Sequence, residues 1–139
     1  MVIIDASGLI LGRLAAEVAK RALAGEDITI VNCEKAIITG KKKPVLARFK
    51  ERAELGGPFH GPFYPRAPDR IVRRVIRGML PHKKARGRQA LGKVACYIGI
   101  PSSLKDKKVE TIPLAAASRL KTKDYLKLDH ISQLLGWKK

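Results

Sequence analysis

A chain of 139 residues that is 45% apolar is long enough to fold as one domain around a buried core, which excludes a wholly disordered basic tail. Its 29 Lys and Arg against 12 Asp and Glu leave a net charge of +17, so the surface repels itself at low salt and attracts polyanions at long range. No apolar run approaches the roughly 20 residues that span a bilayer, and no basic helix carries the Trp/Phe face of an interfacial anchor, which ranks nucleic acid above anionic lipid as a partner.

The N-terminus, MVIIDASGLILGR, has a short apolar run and an Asp but not the basic segment of a signal peptide, so the cytoplasm is the expected compartment. Val2–Asp5 reads as a strand closed by the turn Ala6-Ser7-Gly8. A helix follows from about Leu11 to Ala24, because Leu11, Leu14, Ala15, Val18, Ala19, Ala22 and Leu23 recur at helical spacing. Arg13, Glu17 and Arg21 line its other side at four-residue steps, and Gly25 suits the left-handed residue just past its end. Ile28–Asn32 is short, β-branched and without alternation, as in a strand covered on both faces. Strand, helix and strand so closely spaced predict a βαβ unit with parallel strands and a right-handed crossover. Gly8–Gly12 (GLILG) lies where dinucleotide-binding glycines would lie, but the spacing does not match and no phosphate-loop Gly-Lys-Ser/Thr is present.

Ala36–Thr39 predicts a short strand, and Pro44 to Leu55 a helix with the proline in its first turn. Lys41, Lys42, Lys43, Arg48, Lys50 and Arg52 form a basic group here, offset by Glu51 and Glu54. Gly56–Pro68 packs four prolines and three glycines into thirteen residues and cannot be regular helix or central strand. This loop interleaves Phe59, Phe63 and Tyr64 with His60 and Arg66. Two readings stand side by side: the rings stack on unpaired bases, or Phe59 and Phe63 pin an irregular loop to the core.

The next helix, Pro68 to about Leu80, carries the main signal. Arg70, Arg73, Arg74 and Arg77 fall within a sector of about 100°, and Ile71, Val72, Val75, Ile76, Met79 and Leu80 take the rest. Pro81 steers Leu80 away from helical angles and ends the helix. The chain should then continue as a basic loop carrying His82, Lys83, Lys84, Arg86 and Arg88, with Gly87 inside it and Lys93 beyond. From Arg70 to Lys105 there are ten Lys and Arg and no Asp or Glu. A solvated face normally mixes signs; four arginines on one face repel one another unless an anion lies against them. Arginine suits phosphate because its planar fork bonds bidentately and stays charged. Val94–Ile98 predicts another buried strand, and 101–139 is less regular, packed on the rest of a single domain spanning 1–139. In DHISQLLGW a short final helix is expected, with Asp129 as its N-cap, Gly136 just past its end and Trp137 packing back on the last turn.

His60, His82 and His130 are scattered, and none has a carboxylate or nucleophile at motif spacing. Cys33 and Cys96 stand apart without further ligands, and read as idle thiols rather than half of a zinc site. No catalytic constellation, metal centre, cofactor or small-molecule substrate is expected.

Several segments together, VIIDA, LGRLA, IVNCEKAIITGKK, RIVRRVIRGMLPHKKARGRQAL and KVACYIGIP, resemble the universal large-subunit ribosomal protein L-thirteen family. GPFHGPFYPRAPDR and YLKLDHISQLLGWKK are similar to its archaeal and eukaryotic branch. The likeness runs from about Val2 to Trp137 and is most specific around GMLPHKKARGR. It implies a three-layer α/β/α fold on a small, mainly parallel four-stranded sheet. It also implies a structural role: binding large-subunit ribosomal RNA beside neighbouring ribosomal proteins, early in assembly, without catalysis and without homo-oligomers. The basic residues within Arg73–Arg88 become the expected RNA contacts by that resemblance. The long C-terminal extension of eukaryotic members is not matched, so roles that depend on it are not expected. Two rival classes share parts of this pattern: an enzyme acting on nucleotides or RNA, which needs a nucleophile, acid–base pair or metal cluster near the basic patch, and a regulator that binds messenger RNA away from the ribosome.

Overall fold

The computed structural model describes residues 1–138. The core of the fold is the expected crossover unit. Strand β1 (Val2–Asp5) leads through helix α1 (Leu11–Leu23) to strand β2 (Ile28–Val31), which pairs parallel to β1 with Val2 opposite Ile28. Helix α1 ends as its sequence implies: Gly25 sits at φ +103, its N–H donates to the Ala22 carbonyl, and the Glu26 N–H donates to that of Arg21. This is the paired bonding that a glycine in the left-handed region permits.

Strand β3 (Ile37–Thr39) and helix α2 (Lys42–Glu54) follow, then the proline-rich loop, helix α3 (Pro68–Met79), helix α4 (Ala85–Gly92) and strand β4 (Val94–Cys96). β4 joins the free edge of β2 in parallel, Ile28 opposite Val94, giving the sheet order β1-β2-β4. The outer edge of β1 is covered by Glu110, whose N–H donates to the Ile3 carbonyl at 2.8 Å and whose carbonyl accepts the Asp5 N–H at 3.0 Å. The class is α/β on a mainly parallel sheet, as expected. Where four strands in one sheet were anticipated, three lie in the parallel sheet and β3 forms a separate antiparallel pair with β5 (Tyr125–Lys127).

All five helices, with α5 (Leu128–Leu134) the last, send side chains into one core cluster that also holds Ile4, Ile28, Ile30 and Val94. The opposite sheet face buries Ile3 and Val31 under Leu104, which lies in a short 3₁₀ turn, Ser102–Leu104. The third layer is therefore an irregular segment rather than a helix.

Four local expectations are corrected. The basic stretch after Pro81 is a tight turn followed by α4, so Arg86 and Arg88 are helical rather than in a loop. Its residues other than Gly87 are mostly strong helix formers, and Gly87 is buried so close to the Pro81 carbonyl that any Cβ would collide with it. Asp129 is not the N-cap of α5. The chain passes straight from β5 into the helix, Lys127 takes the cap position, and Asp129 accepts a hydrogen bond from Gln133 Nε2 at 3.1 Å. Burial of Leu128, whose N–H donates to the Ala36 carbonyl, sets that start. Asn32 lies outside β2 at φ 54, opening the 3₁₀ turn Cys33–Lys35. β4 stops at Cys96, two residues short of Ile98. At the other end of α5 the glycine falls where expected: Gly136 at φ +87 donates its N–H to the Gln133 carbonyl, and the Trp137 N–H donates to that of Ser132.

Candidate nucleic-acid interface

Helix α3 is built to have two unlike sides. Ile71, Val72 and Ile76 are fully buried against α1 and the sheet. Arg70, Arg73, Arg74 and Arg77 are all exposed on the other side. Pro68 starts the helix, where a missing N–H costs nothing, and Leu80 ends it in extended geometry before Pro81. Asp69 is the helix's one carboxylate. It sits in the first turn, where the positive end of the helix dipole favours it, with Oδ1 buried and without a hydrogen-bond partner among the described residues.

The charge on the arginine side is unmatched. Among the described residues the ion pairs are Arg21–Glu17 and Arg21–Glu110, both at 3.3 Å, and an exposed Lys50–Glu54 contact at 3.9 Å. None involves α3. Burial alone would lower the Arg21 pKa, but its bonds to Glu110 and Glu17 outweigh that and hold it above the ordinary value.

One arginine is fixed in place by the loop before it. Arg74 Nη1 donates to the Phe63 carbonyl at 3.3 Å, and its Cζ lies 4.7 Å from the centre of the Tyr64 ring. Tyr64 in turn meets buried Phe49 of α2 edge-on, with ring centres 6.0 Å apart. Phe49 is the one buried side chain of α2, so this ring–ring–guanidinium chain ties α2, the loop and α3 together. The pinning role expected of Phe59 and Phe63 belongs instead to Tyr64, which was not expected to have it. Phe59 and Phe63 are 89% and 71% exposed and pin nothing to the core.

The other candidates sort by position. Lys83, Lys84, Arg86 and Arg88 are exposed on the turn and on α4, His82 is half-buried, and Arg88 Nη2 donates to the Lys83 carbonyl at 3.4 Å. The structure brings Arg70, Arg73, Arg74 and Arg77 into one cleft with Pro65 and Leu91 of α4, of about 300 Å³. Arg66 and Arg70 share a second, larger cleft with Tyr64 and the proline-rich loop. Arg66 also reaches the C-terminal turn of α5 beside Leu134 and Leu135. His60 is exposed at the loop tip. Lys41, Lys42, Lys43, Arg48, Lys50 and Arg52 are exposed on and before α2, and none of them lines the arginine cleft. Lys93 has other work: its Nζ donates to the Gly25 carbonyl at 2.8 Å, closing the end of α1. Sequence reasoning missed Leu91, which carries no charge and joins the cleft only because α4 is a helix.

Elsewhere the polar groups serve the fold. Burial opposes ionisation of Asp5, but bonds from Ser7 and Asn32 and the charge of Lys35 outweigh it and hold its pKa below the usual carboxylate value. The parallel register pairs Cys96 with Ile30, three residues before Cys33, whose Sγ donates to the Ile30 carbonyl at 3.8 Å. The neighbouring Cys96 thiol, and then burial, push the Cys33 pKa far up, so it stays a thiol. Among the described residues no three His, Cys, Asp or Glu cluster as metal ligands would, and no helix is long and apolar enough to cross a membrane.

A family model described as ribosomal protein L13 matches residues 1–103, which takes in the sheet and helices α1 to α4. The large ribosomal subunit protein uL13 of Methanosarcina barkeri is 48% identical over 139 residues, 99% of both chains. The protein of that name from Archaeoglobus fulgidus is 45% identical over 98% of this chain and 88% of its own. That of Haloarcula marismortui is 42% identical over 97% of this chain and 90% of its own.

Proposed function

The chain belongs to the ribosomal protein L13 family, and from that premise we propose that it is a structural, non-catalytic constituent of the large ribosomal subunit. It acts in the cytoplasm as part of the ribosome, as one domain, through large-subunit ribosomal RNA and neighbouring ribosomal proteins. Its net charge of +17 opposes pairing with a second copy of itself.

One observation carries the assignment of residues: four guanidiniums share one helix face and, among the described residues, no carboxylate meets them. Phosphates of folded RNA supply the missing charge. Arg70, Arg73, Arg74 and Arg77 form the centre of the contact, with Lys83, Lys84, Arg86 and Arg88 continuing it along the turn and α4. His60, Tyr64 and Arg66 flank it, and His82 sits at the turn. The α2 group, Lys41, Lys42, Lys43, Arg48, Lys50 and Arg52, forms a second, separate contact, while Lys93 contributes positive field from the position where it closes α1. A-form RNA hides its base edges in a deep groove, so recognition rests on shape, bulges and loops.

Each phosphate neutralised steepens the salt dependence of binding, by about 0.9 on duplex and about 0.7 on single strands. Ten such contacts give a slope near about −7 to −9. Reversing Arg73, Arg74 and Arg77 to Glu should cut affinity for large-subunit rRNA on the order of 100-fold or more near 0.1 M salt and flatten the slope by at least about 2. Unchanged affinity and slope in a titration would defeat the reading.

A further inference from the structure

We infer that the cleft between α3 and α4 receives one unstacked nucleotide of the RNA, its base against Arg74, Leu91 and Pro65 and its flanking phosphates on Arg70, Arg73 and Arg77. This rests on the RNA reading of the same face and adds a ligand chemistry to it. A face that only met backbone phosphates would need charge and nothing else. Here the four arginines surround an apolar floor, half-buried Pro65 and Leu91. At about 300 Å³ the cleft stands at the lower end of small-ligand sites, which run from about 300 to 1,000 Å³. A continuous duplex cannot enter such a depression; a single flat ring can.

Arg74 is already arranged for that ring. The Phe63 carbonyl and the Tyr64 ring hold its guanidinium, and Phe49 braces Tyr64 from behind. Arg74 lines the cleft while its Cζ stays 4.7 Å from the Tyr64 ring centre, so the guanidinium is held where a base in the cleft can meet it, and stacking on guanidinium planes is how proteins hold splayed-out RNA bases. Because the plane is fixed before binding, little side-chain freedom is lost when the base arrives. The remaining arginines supply forked donors to the phosphates on either side. An acidic side chain from a neighbouring protein is the competing occupant. It would neutralise one cation of four and leave the apolar floor uncovered, whereas a nucleotide brings both the ring and the charge.

The test uses the full chain and in vitro transcribed large-subunit rRNA, titrated across a salt series with nucleotide-resolution chemical probing of the complex. Leu91→Trp fills the cleft and keeps every cation. Arg74→Lys keeps the charge and removes the plane. Each should weaken binding roughly 5- to 100-fold, the range for losing one stacked base, with the salt slope unchanged. In both, the same single nucleotide should regain reactivity. If both variants bind as the parent does while Arg70→Gln, Arg73→Gln and Arg77→Gln flatten the slope, the cleft inference falls and the phosphate reading stands. If those three charge removals also leave the slope as it was, the function reading itself falls. Weaker binding with no single nucleotide changed overturns the inference as well. Thermal melts confirm folding, and should Leu91→Trp fail to fold, Arg74→Lys at its exposed position decides the outcome.

Discussion

Helices α1 and α3 pack against each other in one core, and both are amphipathic, yet their outer sides differ in kind. On α1 the basic residue Arg21 meets Glu17 and Glu110, and Arg13 Nη1 donates to the Leu114 carbonyl at 3.4 Å. On α3 four arginines meet no carboxylate among the described residues. On the proposed reading positive charge by itself does not mark the interface; what marks it is a concentration of unpaired cations on one helix face. The first helix pairs Arg21 within the chain and leaves Lys20 and Arg13 without a carboxylate among the described residues, whereas the second leaves four arginines on one face, which on the proposed reading RNA completes.

The inner sides should behave alike. Leu14→Ala in α1 and Ile76→Ala in α3 each empty a fully buried site and should each cost about 2–5 kcal/mol in chemical denaturation. A much smaller loss at Ile76 would break the claim that the two helices share one core. The outer sides should behave oppositely. Arg77→Gln should weaken rRNA binding about 5- to 10-fold and reduce the salt slope by about 1, while Arg21→Gln on α1 leaves both unchanged in the same titration.

A third comparison uses pH. Asp5 has a folded pKa below the unfolded value of about 3.9, so its contribution to stability is present above that value and is lost as pH falls through the lower folded one. Acid titration of Asp5→Asn should therefore lack part of the parent's destabilisation below about pH 4, and a parallel loss in both proteins would remove Asp5 from the account. The smallest effect is expected where charge is already matched. Glu17→Gln with Glu110→Gln should cost no more than about 1 kcal/mol, because exposed ion pairs contribute little. RNA affinity should not fall in that variant, since removing carboxylates frees Arg21 rather than consuming positive charge.

The closed and open helices were both legible as patterns. Helical spacing gave the buried stripes of α1 and α3, Pro81 gave the stop of α3, and Gly25 and Gly136 marked helix ends that later proved to be left-handed turns. Each of these rests on residues within a turn or two of one another, so the local sequence carries the information. The basic segment after Pro81 was harder. Its glycine and its charge favoured a loop, and only the contact of Gly87 with Pro81, across a turn the sequence does not display, shows why a glycine belongs inside α4. Strand β5 was invisible for the same reason: Tyr125–Lys127 exists through pairing with Ile37–Thr39, far back in the chain. Asp129 lost the cap position because that pairing and the burial of Leu128 fixed where α5 begins.

Among the rings of the proline-rich loop, composition could not separate an anchor from an exposed platform. Folding assigned Tyr64 to Phe49 and Arg74, and left Phe59 and Phe63 in solvent. What the sequence alone determined is the excess of positive charge, its concentration on one helix side, and the crossover unit that carries it, since these depend on composition and short-range periodicity. Only the tertiary structure decided that, among the described residues, no carboxylate comes back to meet those arginines and that Leu91 and Pro65 complete a cleft beside them. Both are contacts between distant segments, and such contacts depend on packing rather than on spacing along the chain.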